Sequence, residues 1–295
     1  MDFTGQRCSE VTVPDGTPRI VCGRVPRLLV TGASGDLGGA VAARAAQDGW
    51  DVTGWAGRAD VDIRDAGAVD AALRAARPDA VIHTAYAQAA DEAHAVNARG
   101  SEHVARAAAA AGARLVHVSS DAIFDGRLGR PLREEDPPSP VTPYGATKAE
   151  AEARVTLAAP DAVLVRTSLI YAGPPHAPTA QERTPLAVAR GESDMMFYSD
   201  EVRSPVQVGD LAAALIELAT LPWAGPLNVA GADALSRLDF ARLVVAARGE
   251  DASGLRGAPA PPGRPSNCPL DLTRAQALLS APLRGARAVL TAPQR

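Results

Sequence analysis

RLLVTGASGDLG, residues 27–38, decides the fold. Arg27–Thr31 is a short apolar run, which predicts a buried parallel strand. Leu37–Gln47 is Ala-rich and predicts a helix that stops near Gly49. Between them lie Gly32, Gly35 and Gly38, spaced GxxGxxG. A glycine pattern in this position has a physical use. A tight turn needs permissive dihedrals, and a pyrophosphate reaches the backbone only where no Cβ intrudes. The helix that follows offers unpaired N–H groups and the positive end of its dipole. Gly32, Ser34, Gly35, Asp36, Leu37 and Gly38 are therefore the expected contacts of a nicotinamide dinucleotide. A glycine-rich turn with no ligand is the alternative.

The residues downstream keep the same rhythm. Strands are predicted at Asp51–Thr53, Ala80–Thr84, Arg114–Ser119 and Ala162–Thr167. Helices are predicted at Asp65–Arg77, Ala87–Ala111 and Tyr144–Leu157. Strand and helix in alternation imply a doubly wound parallel sheet with right-handed crossovers, an α/β fold of Rossmann type. Beyond Leu169 the pattern loosens. A strand at Ser204–Val208, a helix at Asp210–Thr220 and a short strand at Leu227–Val229 are expected to return to the sheet. The helices Leu238–Ala247 and Thr273–Leu279 flank a Pro-rich loop. The organisation expected is an N-terminal extension over 1–25 and a dinucleotide-binding domain over 26–170 that also receives 204–230. A smaller, discontinuous substrate-binding region would be built from 171–203 and 231–295.

Composition narrows the function classes. The chain has 295 residues, 46% hydrophobic and 22% charged, with a net charge of -4. That balance argues against a nucleic-acid partner, which calls for a basic surplus or a basic face. No stretch of 18 apolar residues predicts a membrane span. Cys8, Cys22 and Cys268 are too few for a disulfide framework, which fits a reducing cytoplasm, although Cys8 and Cys22 could bridge. The five histidines show no metal spacing, and no metal is assigned. A homodimer is the default assembly.

One residue stands out in the composition. Of the 30 basic residues only Lys148 is a lysine. It lies four residues after Tyr144, so both side chains share one helix face. A free phenol has a pKa of about 10, and a nearby ammonium would lower it into the range of a working acid. A helix-surface tyrosine beside a solvated lysine is the alternative. The second strand lacks the acid that usually meets the adenosine ribose, and its loop carries Arg58 instead. Arg58 suits a 2′-phosphate and favours NADPH over NADH; a solvated surface arginine is equally consistent.

The glycine loop, the segment VSSDAIFDG (118–126), YGATKAEAE (144–152), VRTSLIYAG (165–173) and RPSNCPLDLTRAQALL (264–279) together resemble the extended short-chain dehydrogenase/reductases. More narrowly, the chain resembles the dTDP-4-dehydrorhamnose reductase family from about Arg27 to about Leu279. The resemblance implies that Ser120, Asp121, Tyr144 and Lys148 are catalytic, that Tyr144 and Lys148 also contact the cofactor, and that Ser120, Asp121 and Tyr144 contact the substrate. It implies that Asp62 and Ile63 contact the adenine, and that Ala85 and Tyr86 line the cofactor. Arg203 and Arg264 become candidates for a substrate diphosphate, since guanidinium suits phosphate oxygens. For each of these two, a structural or surface arginine is the alternative. The implied activity is NAD(P)H-dependent reduction of the C4 ketone of a 4-keto-6-deoxy nucleotide sugar. Alternatives are a sugar-nucleotide epimerase and a non-catalytic regulatory protein of the same fold, like the regulatory β subunit of methionine adenosyltransferase. The sequence departs from the family at Gly173–Phe197, where substrate contacts belong. It also has Ala122 where dehydratase relatives carry a second acid.

Overall fold

The computed structural model describes residues 6–12 and 18–292. Strands β1 (Gln6–Thr12) and β2 (Pro18–Arg24), the described part of the N-terminal extension, pair antiparallel. Its register sets Cys8 opposite Cys22. Their side chains, and hence the bridge considered above, lie outside the described residues.

The centre is a six-stranded parallel sheet. Its strands are β3 (Arg27–Thr31), β4 (Asp51–Trp55), β5 (Ala80–His83), β6 (Arg114–Val118), β7 (Val163–Arg166) and the last strand, Gly225–Asn228. Their spatial order is last strand, β7, β6, β5, β3, β4, and every pairing is parallel. Every residue of β5 and β7 is buried, as the continuous apolar runs predict for strands covered on both faces.

Helices cover each face. On one side α1 (Asp36–Gln47) and α7 (Val208–Leu218) bury Val41, Ala45, Leu211 and Leu215 against the sheet. On the other, α2 (Ala66–Ala76), α4 (Ser101–Ala110) and α5 (Pro143–Ala158) bury Val69, Leu73, Val104 and Val155. Asp65 starts α2 as an N-cap, accepting from Gly67 and Ala68, and Arg77 ends it in the left-handed region with φ 45°.

The single long helix expected over Ala87–Ala111 is divided. Its parts are α3 (Ala90–Ala93), a π-helical stretch His94–Gly100, and α4. The cause is Asn97. Its buried amide donates to the Ala87 carbonyl and accepts from Ala87 N, both at 2.8 Å, and donates to Thr147 Oγ1 at 3.0 Å. The wide turn carries this side chain inward, a recurrent use of π-bulges.

Beyond β7 a second, smaller core forms. Tyr171, Leu186, Phe197, Leu235, Phe240, Val244 and Leu290 pack together. These residues come from three separate stretches, so the lobe is discontinuous. The helix α6 (Ala180–Ala189) belongs here and was not expected. The strand expected at Ser204–Val208 is instead two short pairings, Val202–Arg203 with Leu235–Ser236 and Val206–Gln207 with Ile170–Tyr171. Both pairings are two-stranded sheets separate from the six-stranded one.

Candidate active site

Strand order reverses between β3 and β5, because the chain passes to β4 on one side before returning to β5 on the other. In open α/β sheets the carboxyl ends flanking such a switch point form a crevice. The glycine loop leaves β3 here, Ala85 and Tyr86 leave β5, and Ser120 follows β6.

The loop is held by close approach. A Cβ on Gly38 would lie 2.1 Å from the Gly32 carbonyl oxygen, so α1 can start this near the turn only with glycine there. Gly35 is the N-cap of α1 and brings no side-chain cap to the first N–H groups of the helix. Asp36 Oδ2 accepts from Ala180 N at 3.4 Å, linking the loop to α6 in the second lobe.

Helix α5 begins at Thr142, whose Oγ1 accepts from Gly145 N at 3.0 Å, with Pro143 in the first turn. A Cβ on Gly145 would fall 2.1 Å from the Ala122 carbonyl oxygen. Glycine at that position lets α5 press against the turn that follows β6. Tyr144 and Ser120 are thereby brought close enough for Ser120 to act on the phenol. Ser120 also accepts from Ala122 N at 3.2 Å and lies 3.4 Å from Asp121 Oδ1. Tyr86, exposed, meets the Tyr144 ring edge-on at 6.3 Å between centroids.

The expectation that Lys148 lowers the Tyr144 pKa is not met. Burial pushes the phenol well above its ordinary value, Tyr86 and Asp121 push it further, and only nearby Ser120 opposes them. The physical reason is the placement of Lys148, whose ammonium is buried and donates to the Val118 carbonyl. Burial pulls Lys148 itself down to about 8. Behind it, His83 and His117 stack at 5.3 Å, and burial keeps both neutral.

Asp121 is buried beneath Ser120. Its Oδ2 accepts from Ser168 Oγ at 2.6 Å and lies 3.6 Å from Arg203 Nε. Burial raises its pKa and outweighs Arg203, Ser168 and Ser120, which oppose the shift. Ser168 was not singled out from the sequence, although a hydroxyl just past a parallel strand stands where sites form.

The other expected residues fall as follows. Asp62 is clasped by Arg64, and Ile63 packs where a Cβ on Gly100 would be. Arg58 pairs with Glu92. Arg203 is buried, donating to the carbonyls of Val202, Ser266 and Pro265 and pairing with Glu201. Its guanidinium is occupied by the protein, which favours the structural alternative. Arg264 also pairs with Glu201 but lies over the Tyr198 ring with its side chain 41% exposed. Arg237, a third arginine missed in the sequence, donates to Gln181 and sits among Glu201, Arg203, Arg264 and Asp121.

These features define a doubly wound α/β protein with a Ser-Tyr-Lys cluster at its switch point. Residues 26–292 match the family described as RmlD substrate binding domain, and the chain belongs to that family. It is 36% identical over 248 residues to the dTDP-4-dehydrorhamnose reductase of Mycobacterium tuberculosis H37Rv, covering 80% of each chain. It is 37% identical over 281 residues to that of Mycolicibacterium smegmatis, covering 90% of this chain and 84% of the other. Among solved structures, the dTDP-4-dehydrorhamnose reductase of Bacillus anthracis in complex with NADP aligns with a TM-score of 0.79. That alignment has 23% identity and covers 91% of this chain and 97% of the other.

Proposed function

We propose that this protein is a cytoplasmic, NAD(P)H-dependent reductase of a 4-keto-6-deoxy nucleotide sugar, acting on the C4 ketone. One observation carries the reading: Ser120 and Tyr144 meet at the carboxyl edge of the sheet, with Lys148 one turn along α5. Family membership and the names of the relatives support it.

The residues present fit a dinucleotide. The first N–H groups of α1 carry no side-chain cap, and the Gly35 N-cap leaves the approach clear for a pyrophosphate. Gly32, Ser34, Gly35, Leu37 and Gly38 would hold it, with Asp62 and Ile63 at the adenine and Ala85 and Tyr86 along the crevice. When bound, a reduced nicotinamide supplies a hydride to the ketone carbon.

The rest is done by the chain. The raised pKa of Tyr144 keeps its phenol protonated, and that O–H donates its proton to the sugar oxygen as negative charge develops. Ser120 Oγ–H turns from Asp121 Oδ1 to hydrogen-bond the same oxygen, as an oxyanion donor does. Lys148 donates to the Val118 carbonyl and braces the strand end that carries Ser120. Asp121 fixes Ser120 from below. The second lobe would receive the sugar nucleotide, and Arg264, half-exposed over the Tyr198 ring, would pair with its diphosphate.

The experiment is turnover. Purified protein is mixed with NADPH or NADH and a dTDP-4-keto-6-deoxy sugar, and loss of reduced nicotinamide is followed. Tyr144→Phe should slow reduction by about 10²–10⁴, the usual worth of a positioned acid. Absence of reduction with every 4-keto-6-deoxy nucleotide sugar tried, by folded protein that binds the cofactor, refutes the reading.

A further inference from the structure

The end of β4 has no acid of its own, yet three carboxylates lie around its loop. Asp60 is turned inward, with Oδ2 accepting from Ala56 N at 2.6 Å. Asp62 is committed to Arg64, whose Nε donates to both its oxygens at 2.9 and 3.0 Å. The third is Glu92, delivered from α3. It pairs with Arg58 and lies 3.9 Å from Arg64 Nη1. Two guanidiniums beside the expected adenosine ribose therefore face one carboxylate from a different helix. The Arg58–Glu92 pair is accessible, with side chains 54% and 34% exposed.

We propose that Glu92 sets the preference between NADPH and NADH by competing with the 2′-phosphate for Arg58. The proposal rests on the dinucleotide-binding reading above. A 2′-phosphate and a carboxylate both seek the planar fork of a guanidinium, and one arginine cannot serve both with the same N–H groups. NADPH must displace Glu92 to reach Arg58. NADH carries a hydroxyl there and leaves the pair intact. Glu92 therefore weakens the binding of one cofactor and leaves the other unaffected. Arg64, already anchored by Asp62, is the second cation within reach of the phosphate once Glu92 turns away.

Cofactor titration of the full chain tests this, using protein fluorescence with NADPH and NADH separately. Glu92→Gln should tighten NADPH by up to about fivefold, the worth of a half-exposed ion pair, while NADH changes less than about twofold. Arg58→Ala should weaken NADPH by about tenfold, the scale of one charge-assisted hydrogen bond. In the Arg58→Ala background, Glu92→Gln should have no further effect on NADPH. An unchanged NADPH to NADH ratio in Glu92→Gln, with both cofactors still bound, overturns the proposal. So does a loss of NADPH affinity in that variant. Wild-type protein that binds neither cofactor instead overturns the dinucleotide reading beneath it.

Discussion

Lys148 Nζ donates to the Val118 carbonyl at 2.6 Å, so the only lysine in the chain is tied to the last residue of β6, two residues before Ser120. The ammonium is enclosed by the sheet and by neutral His83 and His117. This enclosure, and not a partner charge, sets its titration.

The pH dependence of reduction should follow from that. With Lys148 at about 8, its ammonium is present below that pH and lost above it. The value of kcat/KM, which reports the free enzyme, should fall on the alkaline side with an apparent pKa of about 8. Lys148→Met should lower the rate and remove this limb; a limb that persists belongs to another group. Stability has the opposite sign. Between about 8 and about 10.4 the folded chain binds fewer protons at this site than the unfolded chain, so unfolding free energy rises with pH.

Ser168→Ala should lower kcat several-fold while Tm changes little. Asp121 Oδ2 loses its 2.6 Å donor, and the support beneath Ser120 loosens. Substrate KM should stay near wild type, because Ser168 acts through Asp121. Steady-state kinetics alongside thermal unfolding separate the two effects. A change confined to KM would place Ser168 against the substrate.

Arg203 and Arg264 share Glu201 but should behave differently. Arg203→Met leaves Glu201 and Asp121 without their buried cation and the Pro265 carbonyl without its donor, which should cost about 3–5 kcal/mol in denaturant unfolding. Arg264→Met should fold normally and raise substrate KM by about tenfold, the worth of a charged hydrogen bond. If Arg203→Met is as stable as wild type, its role is not structural.

Gly38→Ala should destabilise the fold by about 1–3 kcal/mol, since the new methyl group meets the Gly32 carbonyl oxygen at 2.1 Å. Gly35→Ala has more room, with 3.3 Å to the same oxygen, and should fold. Its loss should appear in cofactor affinity, measured by titration, and not in Tm.

The sheet was legible because each central strand is a continuous apolar run between helix-length segments with clear stops. The Tyr144–Lys148 pair was legible because it is local, one helical turn. The unread parts depend on distant partners. Nothing near Arg203 in sequence reveals that the carbonyls of Pro265 and Ser266 will occupy its guanidinium. The division of the helix before Ser101 comes from Asn97 reaching back to Ala87 and across to Thr147. Helix α6 is different, because its signal was present. Thr179 and Glu182 form a capping box, but Pro185 and the Pro-rich entry obscured it. Two-residue strands such as Val202–Arg203 have no period to read.

The discontinuous second core also constrains biosynthesis. Tyr171, Leu186 and Phe197 emerge from the ribosome before Leu235 and Phe240, and well before Leu290. At about 5–20 residues per second, the early apolar side chains wait on the order of several seconds for their partners. The sheet up to β7 is already translated by then, but its edge at β7 stays open until Gly225–Asn228 arrives. The nascent chain thus passes through an interval with an unfinished lobe beside an unpaired strand edge, which is when a chaperone would have most to hold.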